Sequence, residues 1–234
     1  MKKIDSEESK EAIEFYQGYC ANATELEEKV NSFNAEYSFH VHFHGESSWG
    51  NVIDFGGRIG EKTTLIKNTL VVEIDKVALK FMRRQGRKCV AKLDDVADGH
   101  ADTIYCAHVL EHLENPLSYL REFKKKLSPG GRLILVLPYE VNGFFKIKKD
   151  TNGHLYAWNP KTASALLARA GFTVKQCGYA AFSILPKIVG WKIYCLLLGN
   201  DISISLIRWA STIKCEAMGV QSGGEIIIYA EVET

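Results

Sequence analysis

Short apolar runs alternate with longer amphipathic runs from residue 51 onwards, and this alternation constrains the fold more than any other feature. Between the runs, apolar residues recur at helical spacing, for example over 76–86 and 162–172. The apolar runs have the composition of buried strands, and they are 51–57, 70–75, 87–94, 102–110, 131–138, 173–180 and 223–233. Strands that alternate with helices form a mainly parallel sheet that helices cover on both faces.

The connections between these runs refine the prediction. Right-handed crossovers between parallel strands produce a doubly wound sheet. A long stretch separates the last two apolar runs, which allows the final strand to return in the opposite direction. We therefore predict an α/β, Rossmann-like, doubly wound sheet of seven strands, mostly parallel, with an antiparallel last strand and a helical insert before it.

The length of the chain sets its organisation. Its 234 residues suit one large domain, and no repeat or disordered linker divides them. We expect a single domain over 1–234, with an N-terminal helical cap over about 1–45 and a helical insert over about 179–222.

One segment of the insert, 182–198, is mostly apolar. It contains two lysines, a proline and a glycine, and it is shorter than the roughly 20 apolar residues that a membrane span requires. We interpret it as helical cover over the core or a substrate pocket. Peripheral contact with a membrane surface is the alternative.

The charge balance excludes several classes of function. Lys and Arg total 29 and Asp and Glu total 28, so the net charge is +1. A nucleic-acid binder that works by bulk charge is strongly basic, and we therefore expect a small-molecule acceptor and no nucleic acid. The first 14 residues are charged throughout and do not form a secretory signal, which predicts a cytoplasmic protein.

A glycine-rich turn follows the first predicted strand. Asp54 is followed by Gly56, Gly57 and Gly60, with Arg58 between the last two. Glycines let a backbone turn tightly and approach a ligand, and a helix that begins there offers its N–H groups to a polar ligand. The second strand ends in Asp75, an acid that can accept both hydroxyls of a ribose. This series of strand, glycine turn, helix, strand and acid predicts a nucleoside cofactor.

These motifs resemble those of the class I S-adenosylmethionine (SAM)-dependent methyltransferases, over about residues 45–180 and the final strand. The family's first motif, acid-x-Gly-x-Gly-x-Gly, matches the turn except at Arg58, where the family has glycine. Its second motif ends in an acid, matched by Asp75, and Glu73 stands where glycine is more usual. The stretches 107–138 and 153–172 also resemble the family.

The resemblance implies a cofactor and a set of binding residues. The pair Asp94 and Asp95 falls where the family places an acid near the adenine amino group. The implied SAM site consists of Asp54, Gly56, Gly57, Arg58, Gly60, Asp75, Asp94 and Asp95. We predict methyl transfer from SAM to oxygen or nitrogen of a small-molecule, lipid-linked or glycan-linked acceptor.

Arg58 leaves a second reading open. Its side chain can point away from the cofactor, pair with the methionine carboxylate of SAM, or block the pocket. In the last case the chain is a catalytically inactive SAM-fold protein that acts as a binding or regulatory partner. A nicotinamide-dependent oxidoreductase fits poorly, because Gly-x-Gly-x-x-Gly is matched only by Gly57 and Gly60.

A second polar constellation follows the fourth predicted strand. His108, Glu111 and His112 are spaced to lie on nearly one face of a helical turn, and such a trio can hold a divalent metal. Inverted zinc peptidases share these letters, but this segment leaves a strand of the predicted parallel sheet. We therefore exclude that class.

A closer resemblance is to ubiquinone-pathway O-methyltransferases and small-RNA 2′-O-methyltransferases, which carry Glu-x-x-Glu-His here. In the RNA enzymes a later histidine completes a metal site, and His154 resembles that histidine. The resemblance implies a divalent metal at His108, Glu111, His112 and His154. Two other roles stay open: metal-free catalysis or substrate contact by His112, Glu111 and His108, and a purely structural role. His40, His42 and His44 could form another metal cluster or a solvated strand edge.

Overall fold

A seven-stranded sheet forms the centre of the protein in the computed structural model, which describes residues 49–63, 66–139, 153–180 and 224–232. Its strands are β1 (Val52–Phe55), β2 (Thr69–Val72), β3 (Cys89–Val90), β4 (Ala101–Ala107), β5 (Leu127–Tyr139), β6 (Phe172–Ala180) and β7 (Gly224–Val232). The helices are α1 (Lys76–Arg84), α2 (Pro116–Lys126) and α3 (Pro160–Ala170), with short 3₁₀ helices at Leu93–Asp95 and Leu110–His112.

The strand order is β3-β2-β1-β4-β5-β7-β6. The pairs from β3 to β5 are parallel, and β7 runs antiparallel to both β5 and β6. This confirms the predicted doubly wound sheet with an antiparallel last strand. The order reverses between β1 and β4, so the loops that follow these two strands diverge. Open α/β sheets bind ligands in the crevice that forms at this switch point.

The central strands are mostly apolar because both faces of the sheet are covered. All four residues of β1 are buried, and the middle of β5 is buried as well. Phe55, at the end of β1, packs edge-on against Phe123 of α2, with ring centroids 4.8 Å apart. The core therefore fixes where β1 ends and where the glycine turn begins.

The helices begin and end at the expected signals. Asp75 and Asn115 cap the first turns of α1 and α2 with their side chains. Asn159 forms a capping box with Thr162 at the start of α3. Gly171 ends α3 in a left-handed conformation with φ 90°, the conformation in which glycine commonly ends a helix.

The connection between β1 and β2 differs from the prediction. A helix was expected there, but the described residues 56–63 and 66–68 form turns and contain no helix. A βαβ crossover that includes its helix takes about a dozen residues or more, and a glycine turn already takes up much of this connection. The prediction of a helix that begins at the glycine turn is therefore wrong for the described residues.

Two other elements are shorter or less regular than predicted. Strand β3 contains only two residues of the run 87–94. The predicted run 131–138 is preceded by a Ser-Pro-Gly-Gly segment that forms an irregularity within β5: Leu127 pairs with Ala101, and Arg132 pairs with Thr103. Neither change moves the carboxyl ends of β1 and β4.

Several predicted segments lie outside the described residues. They are the helical cap over 1–45 with His40, His42 and His44, and the insert from 181 onwards with its apolar run 182–198. Within the described part of the chain, no helix combines the length and apolarity that a membrane crossing needs.

We expect the Phe123→Ala substitution to lower the free energy of unfolding by about 3–5 kcal/mol, because it opens a cavity beneath β1. Phe123 is fully buried against Phe55. The matched control is Val77→Ala, since Val77 is 37% exposed, and its change should stay within about 0.5 kcal/mol. Urea denaturation followed by circular dichroism measures both values. Equal losses in the two variants would show that α2 does not support β1.

Candidate active site

The glycine turn after β1 uses backbone conformations that favour glycine. Gly56 and Gly60 have φ of 66° and 71°, and Arg58 has φ of 53°. A Cβ built on Gly57 would lie 2.4 Å from the carboxyl carbon of Asp54, so this position has no room for a side chain. Arg58 is the exception, because a non-glycine residue in this region costs about 1–3 kcal/mol.

Glu73 stabilises the strained turn. Its side chain follows β2 and is buried, with 9% of its surface exposed. The backbone N–H of Arg58 donates to Glu73 Oε2 at 2.8 Å, and the backbone N–H of Asp75 donates to Oε1 at 2.8 Å. Burial raises the pKa of Glu73 to about 7 against the lowering effect of these bonds. One carboxylate thus joins the turn to the start of α1.

Arg87 and Glu61 hold the other side of the turn. Arg87 Nη1 donates to the carbonyl oxygens of Ile59 at 2.6 Å and Gly60 at 2.8 Å. The N–H of Ile59 donates to Glu61 Oε2 at 3.2 Å. Side chains therefore satisfy backbone groups that a helix would otherwise have paired.

Asp54, the acid of the first motif, lies beneath the turn and is buried. The hydroxyl of Thr63 donates to its Oδ2 at 2.7 Å. Burial raises the pKa of Asp54 to about 6. The structure therefore gives Asp54 an internal position that supports the turn.

Asp75 has two different carboxylate oxygens. Oδ1 accepts the N–H groups of Val77 at 2.7 Å and Ala78 at 2.8 Å, which caps α1. Oδ2 is buried, and no hydrogen-bond partner for it exists among the described residues. A buried acceptor without a donor costs about 1–3 kcal/mol, which a ligand hydroxyl would offset. Asp94 and Asp95 lie beyond β3 in a 3₁₀ turn, and both are exposed.

The second constellation begins where β4 ends. His108 has φ of 56°, a conformation uncommon for this residue type. Its Nε2 lies 2.8 Å from Glu225 Oε1, and its Nδ1 lies 3.7 Å from Glu111 Oε1. Burial disfavours the charged imidazole, but these two carboxylates outweigh burial and raise the pKa of His108.

Glu111 lies at the centre of this constellation and is fully buried. Within the described part of the chain neither of its carboxylate oxygens accepts a hydrogen bond. His112 Nε2 lies 3.8 Å from Glu111 Oε1, and the His112 ring meets the His154 ring edge-on at 4.8 Å. The carbonyl of Glu111 accepts the N–H of Leu155 at 2.8 Å, which fixes the segment that carries His154. Burial lowers the pKa of His112.

The geometry of these residues fits a metal ion. One ligand atom each from Glu111, His112 and His154 lies within 4.8 Å of the other two. Imidazole suits Zn, Mn, Fe and Ni, and a carboxylate without a hydrogen-bond donor can complete the set. His108, the fourth predicted ligand, is adjacent to Glu111 but directs Nε2 to Glu225. The predicted metal site stays a prediction, with three of its four residues brought together.

The glycine turn and the histidine cluster adjoin each other. Strands β1 and β4 are parallel neighbours, and Phe55 pairs with Cys106. A Cβ built on Gly56 would lie 2.4 Å from the Val109 Cγ2 atom. The switch point of the sheet therefore brings the predicted cofactor turn against the segment that carries His108, Glu111 and His112.

Sequence reasoning missed Glu225 and underrated Glu73. Glu225 lies 117 positions after His108, and only the pairing of β7 with β5 brings the two together. The one available signal for Glu225 was an acid directly before the apolar run 226–230. The sequence showed that Glu73 stands where glycine is more usual in the second motif. It did not predict the hydrogen bond between Glu73 and Arg58.

Comparisons with known proteins identify a methyltransferase domain and a shared fold. The family model of a methyltransferase domain matches residues 25–176, which is more than half of the chain. A SAM-dependent methyltransferase from Archaeoglobus fulgidus matches 90% of this chain and 100% of its own, at 19% identity and a TM-score of 0.59. Phosphoethanolamine N-methyltransferase 2 from Haemonchus contortus, solved with SAM, matches 86% of this chain and 53% of its own, at 10% identity and a TM-score of 0.58.

The fold alone does not define the reaction. The 4+2-cyclase SpnF matches 86% of this chain and 82% of its own, at 13% identity and a TM-score of 0.57. The comparison with curated proteins found no match. The family match therefore carries more weight for function than the structural likeness does.

The close approach of Gly56 to Val109 predicts that Gly56→Ala destabilises the protein. We expect a loss of about 1–3 kcal/mol in the free energy of unfolding, because the new Cβ meets Val109 and the positive φ is strained. Adding Val109→Ala should restore part of this loss by removing the clash. The control is Gly130→Ala, where φ is 74° but nothing lies within 4 Å of a new Cβ. If urea denaturation gives Gly130→Ala the same loss and Val109→Ala rescues nothing, the contact is unimportant.

Proposed function

The chain belongs to the methyltransferase-domain family, and from this premise we propose that it transfers a methyl group from SAM to a small-molecule acceptor. The observation that carries the proposal is the position of Asp75. Its Oδ2 is a buried acceptor that no described residue satisfies, and Glu73 joins Asp75 to the glycine turn at the switch point of the sheet. Ribose hydroxyls are donors of the kind that such an oxygen accepts.

The residues of the turn fit the other parts of the cofactor. Gly56 and Gly57 present backbone without side chains. Arg58 brings a guanidinium to the turn, where its Nη1 lies 4.0 Å from Glu61 Oε1, and the methionine carboxylate of SAM is a second anion with which it would pair. Asp94 and Asp95 follow β3 in an exposed 3₁₀ turn, and the family resemblance implies that an acid here meets the adenine amino group. SAM, when bound, supplies a methyl group that its sulfonium already activates.

The histidine cluster is the acceptor side of the proposed site. The protein has mainly to align the acceptor atom with the methyl group, so proximity supplies most of the rate. His108, Glu111 and His112 lie beside the turn and are the groups that can orient an acceptor or take its proton. Glu111, His112 and His154 would hold a divalent metal, which when bound lowers the pKa of an acceptor hydroxyl.

The class of acceptor follows from charge and composition. A net charge of +1 gives no bulk attraction to a nucleic acid, which favours a small, lipid-linked or glycan-linked acceptor. We propose oxygen or nitrogen as the methylated atom. A catalytically inactive SAM-fold protein is the competing function, and the observation that favours it is Arg58, a strained side chain in a turn where the family has glycine.

The proposed function predicts that SAM and S-adenosylhomocysteine bind in isothermal titration calorimetry. Asp75→Asn keeps the Oδ1 cap of α1 but replaces Oδ2 with a donor, so we expect the Kd for SAM to rise about tenfold or more. The matched control is Asp98→Asn, because Asp98 is exposed and pairs with Lys126 away from the turn. No binding of SAM at millimolar concentration would overturn the proposed function. An unchanged Kd in Asp75→Asn would remove Asp75 from the site.

The metal proposal has its own test. Protein purified without a histidine tag should contain about one divalent metal per chain by mass spectrometry, and His154→Ala should lose it. Because His154 lies on the acceptor side, SAM affinity should be unchanged in this variant. The control is His100→Ala, an exposed histidine outside the cluster. If the protein contains no metal and still methylates its acceptor, the metal proposal is wrong and the cluster acts without a metal.

A further inference from the structure

Two departures from glycine in the cofactor motifs are in direct contact. Arg58 replaces a glycine of the first motif, and Glu73 replaces a glycine of the second. The N–H of Arg58 donates to Glu73 Oε2 at 2.8 Å. The carboxylate therefore binds the one non-glycine residue that adopts a left-handed conformation in the turn.

Glu73 also contacts β3 and the segment that begins α1. Its own N–H donates to the carbonyl of Val90 at 3.0 Å, which anchors its backbone at the tip of the sheet. Its Oε1 accepts the N–H of Asp75 at 2.8 Å. A single buried side chain thus sets the spacing between the turn and the acid that the proposed cofactor site uses.

Protonation of Glu73 would break this arrangement. A carboxylate accepts hydrogen bonds at both oxygens, whereas a carboxylic acid carries a hydrogen on one of them. That hydrogen would point towards one of the two N–H donors, from Arg58 or Asp75. The connection between the turn and α1 therefore depends on the ionised form.

Burial places the ionisation of Glu73 near neutral pH. Burial, with a further contribution from the Asp75 carboxylate, raises the pKa of Glu73 to about 7. The charged side chains of the turn and of the segments next to Glu73 are of both signs: Asp54, Arg58, Glu61, Lys62, Asp75, Lys76, Arg87 and Lys88. A ligand with a net positive charge, such as SAM, would favour the ionised form.

We propose that Glu73 is a positioning residue of the cofactor site, whose ionised form holds the turn and Asp75 in the arrangement that receives SAM. This inference rests on the proposed function. Binding then requires that Glu73 release its proton to solvent, so cofactor affinity depends on pH. Apart from solvent, no other reactant takes part in this release of the proton.

The sign and size of the effect follow from the ionised fraction. Below pH 7 most of the unliganded protein carries protonated Glu73, and the apparent Kd rises as the ionised fraction falls. With a pKa of about 7, the Kd for SAM should fall about tenfold between pH 6 and pH 8. Near pH 7, binding should release a proton from part of the molecules.

Calorimetry of SAM binding from pH 6 to pH 8 tests this proposal in the wild-type protein and in Glu73→Gln. Titrations in two buffers with different ionisation enthalpies give the number of protons released on binding. This measurement requires no variant. Glu73→Gln should bind SAM more weakly at pH 8 and lose the contribution of Glu73 to the pH dependence. The amino group of SAM and the histidines titrate in both proteins, so the difference between the proteins reports Glu73.

Asp98→Asn is the control, because Asp98 is an exposed carboxyl that pairs with Lys126 away from the turn. It should keep the wild-type dependence of the Kd on pH. Equal proton release in wild type and Glu73→Gln would overturn the inference, and so would a Kd that does not change with pH. Failure to bind SAM at every pH would instead overturn the proposed function, so the two failures are distinguishable.

Discussion

The backbone of the glycine turn has to find its hydrogen bonds without a helix, and the arrangement of the site depends on this requirement. A buried N–H or carbonyl without a partner is costly, so the short connection between β1 and β2 recruits side chains. Glu73 and Glu61 accept N–H groups of the turn, and Arg87 donates to two of its carbonyls. As a consequence, several carboxyl groups lie close together in a buried region, and burial raises the pKa of Asp54 and of Glu73.

The sequence was informative where a property repeats along one segment. Apolar runs predicted the strands, and the family's motifs predicted the glycine turn after β1. The acid expected at the end of the second strand, Asp75, lies three residues beyond β2 and caps α1. The motif also suggested a helix between β1 and β2, whereas the described residues of that connection form turns. The sequence did not predict the hydrogen bond between Arg58 and Glu73. That bond depends on how far the adjacent strands β1 and β2 extend beside each other.

The histidine cluster also contains contacts that the sequence did not predict. The spacing of His108, Glu111 and His112 predicted a group on one helical face. The structure instead begins a 3₁₀ turn at Leu110 and directs His108 to Glu225 on the last strand. His154 was assigned to this group by resemblance, and the N–H of Leu155 on the Glu111 carbonyl explains why it lies there. Local spacing cannot report such contacts, because they depend on strands distant in sequence.

The contact of His108 with Glu225 has a consequence for the order of folding. Strand β7 lies between β5 and β6, so these two strands have no shared neighbour until residues 224–232 have been synthesised. Closing a connection across 117 positions carries a larger entropy cost than the local pairings of β1, β2 and β4. The cofactor turn can therefore form early on the growing chain, whereas the acceptor side of the site gains its last residue only when the sheet is completed.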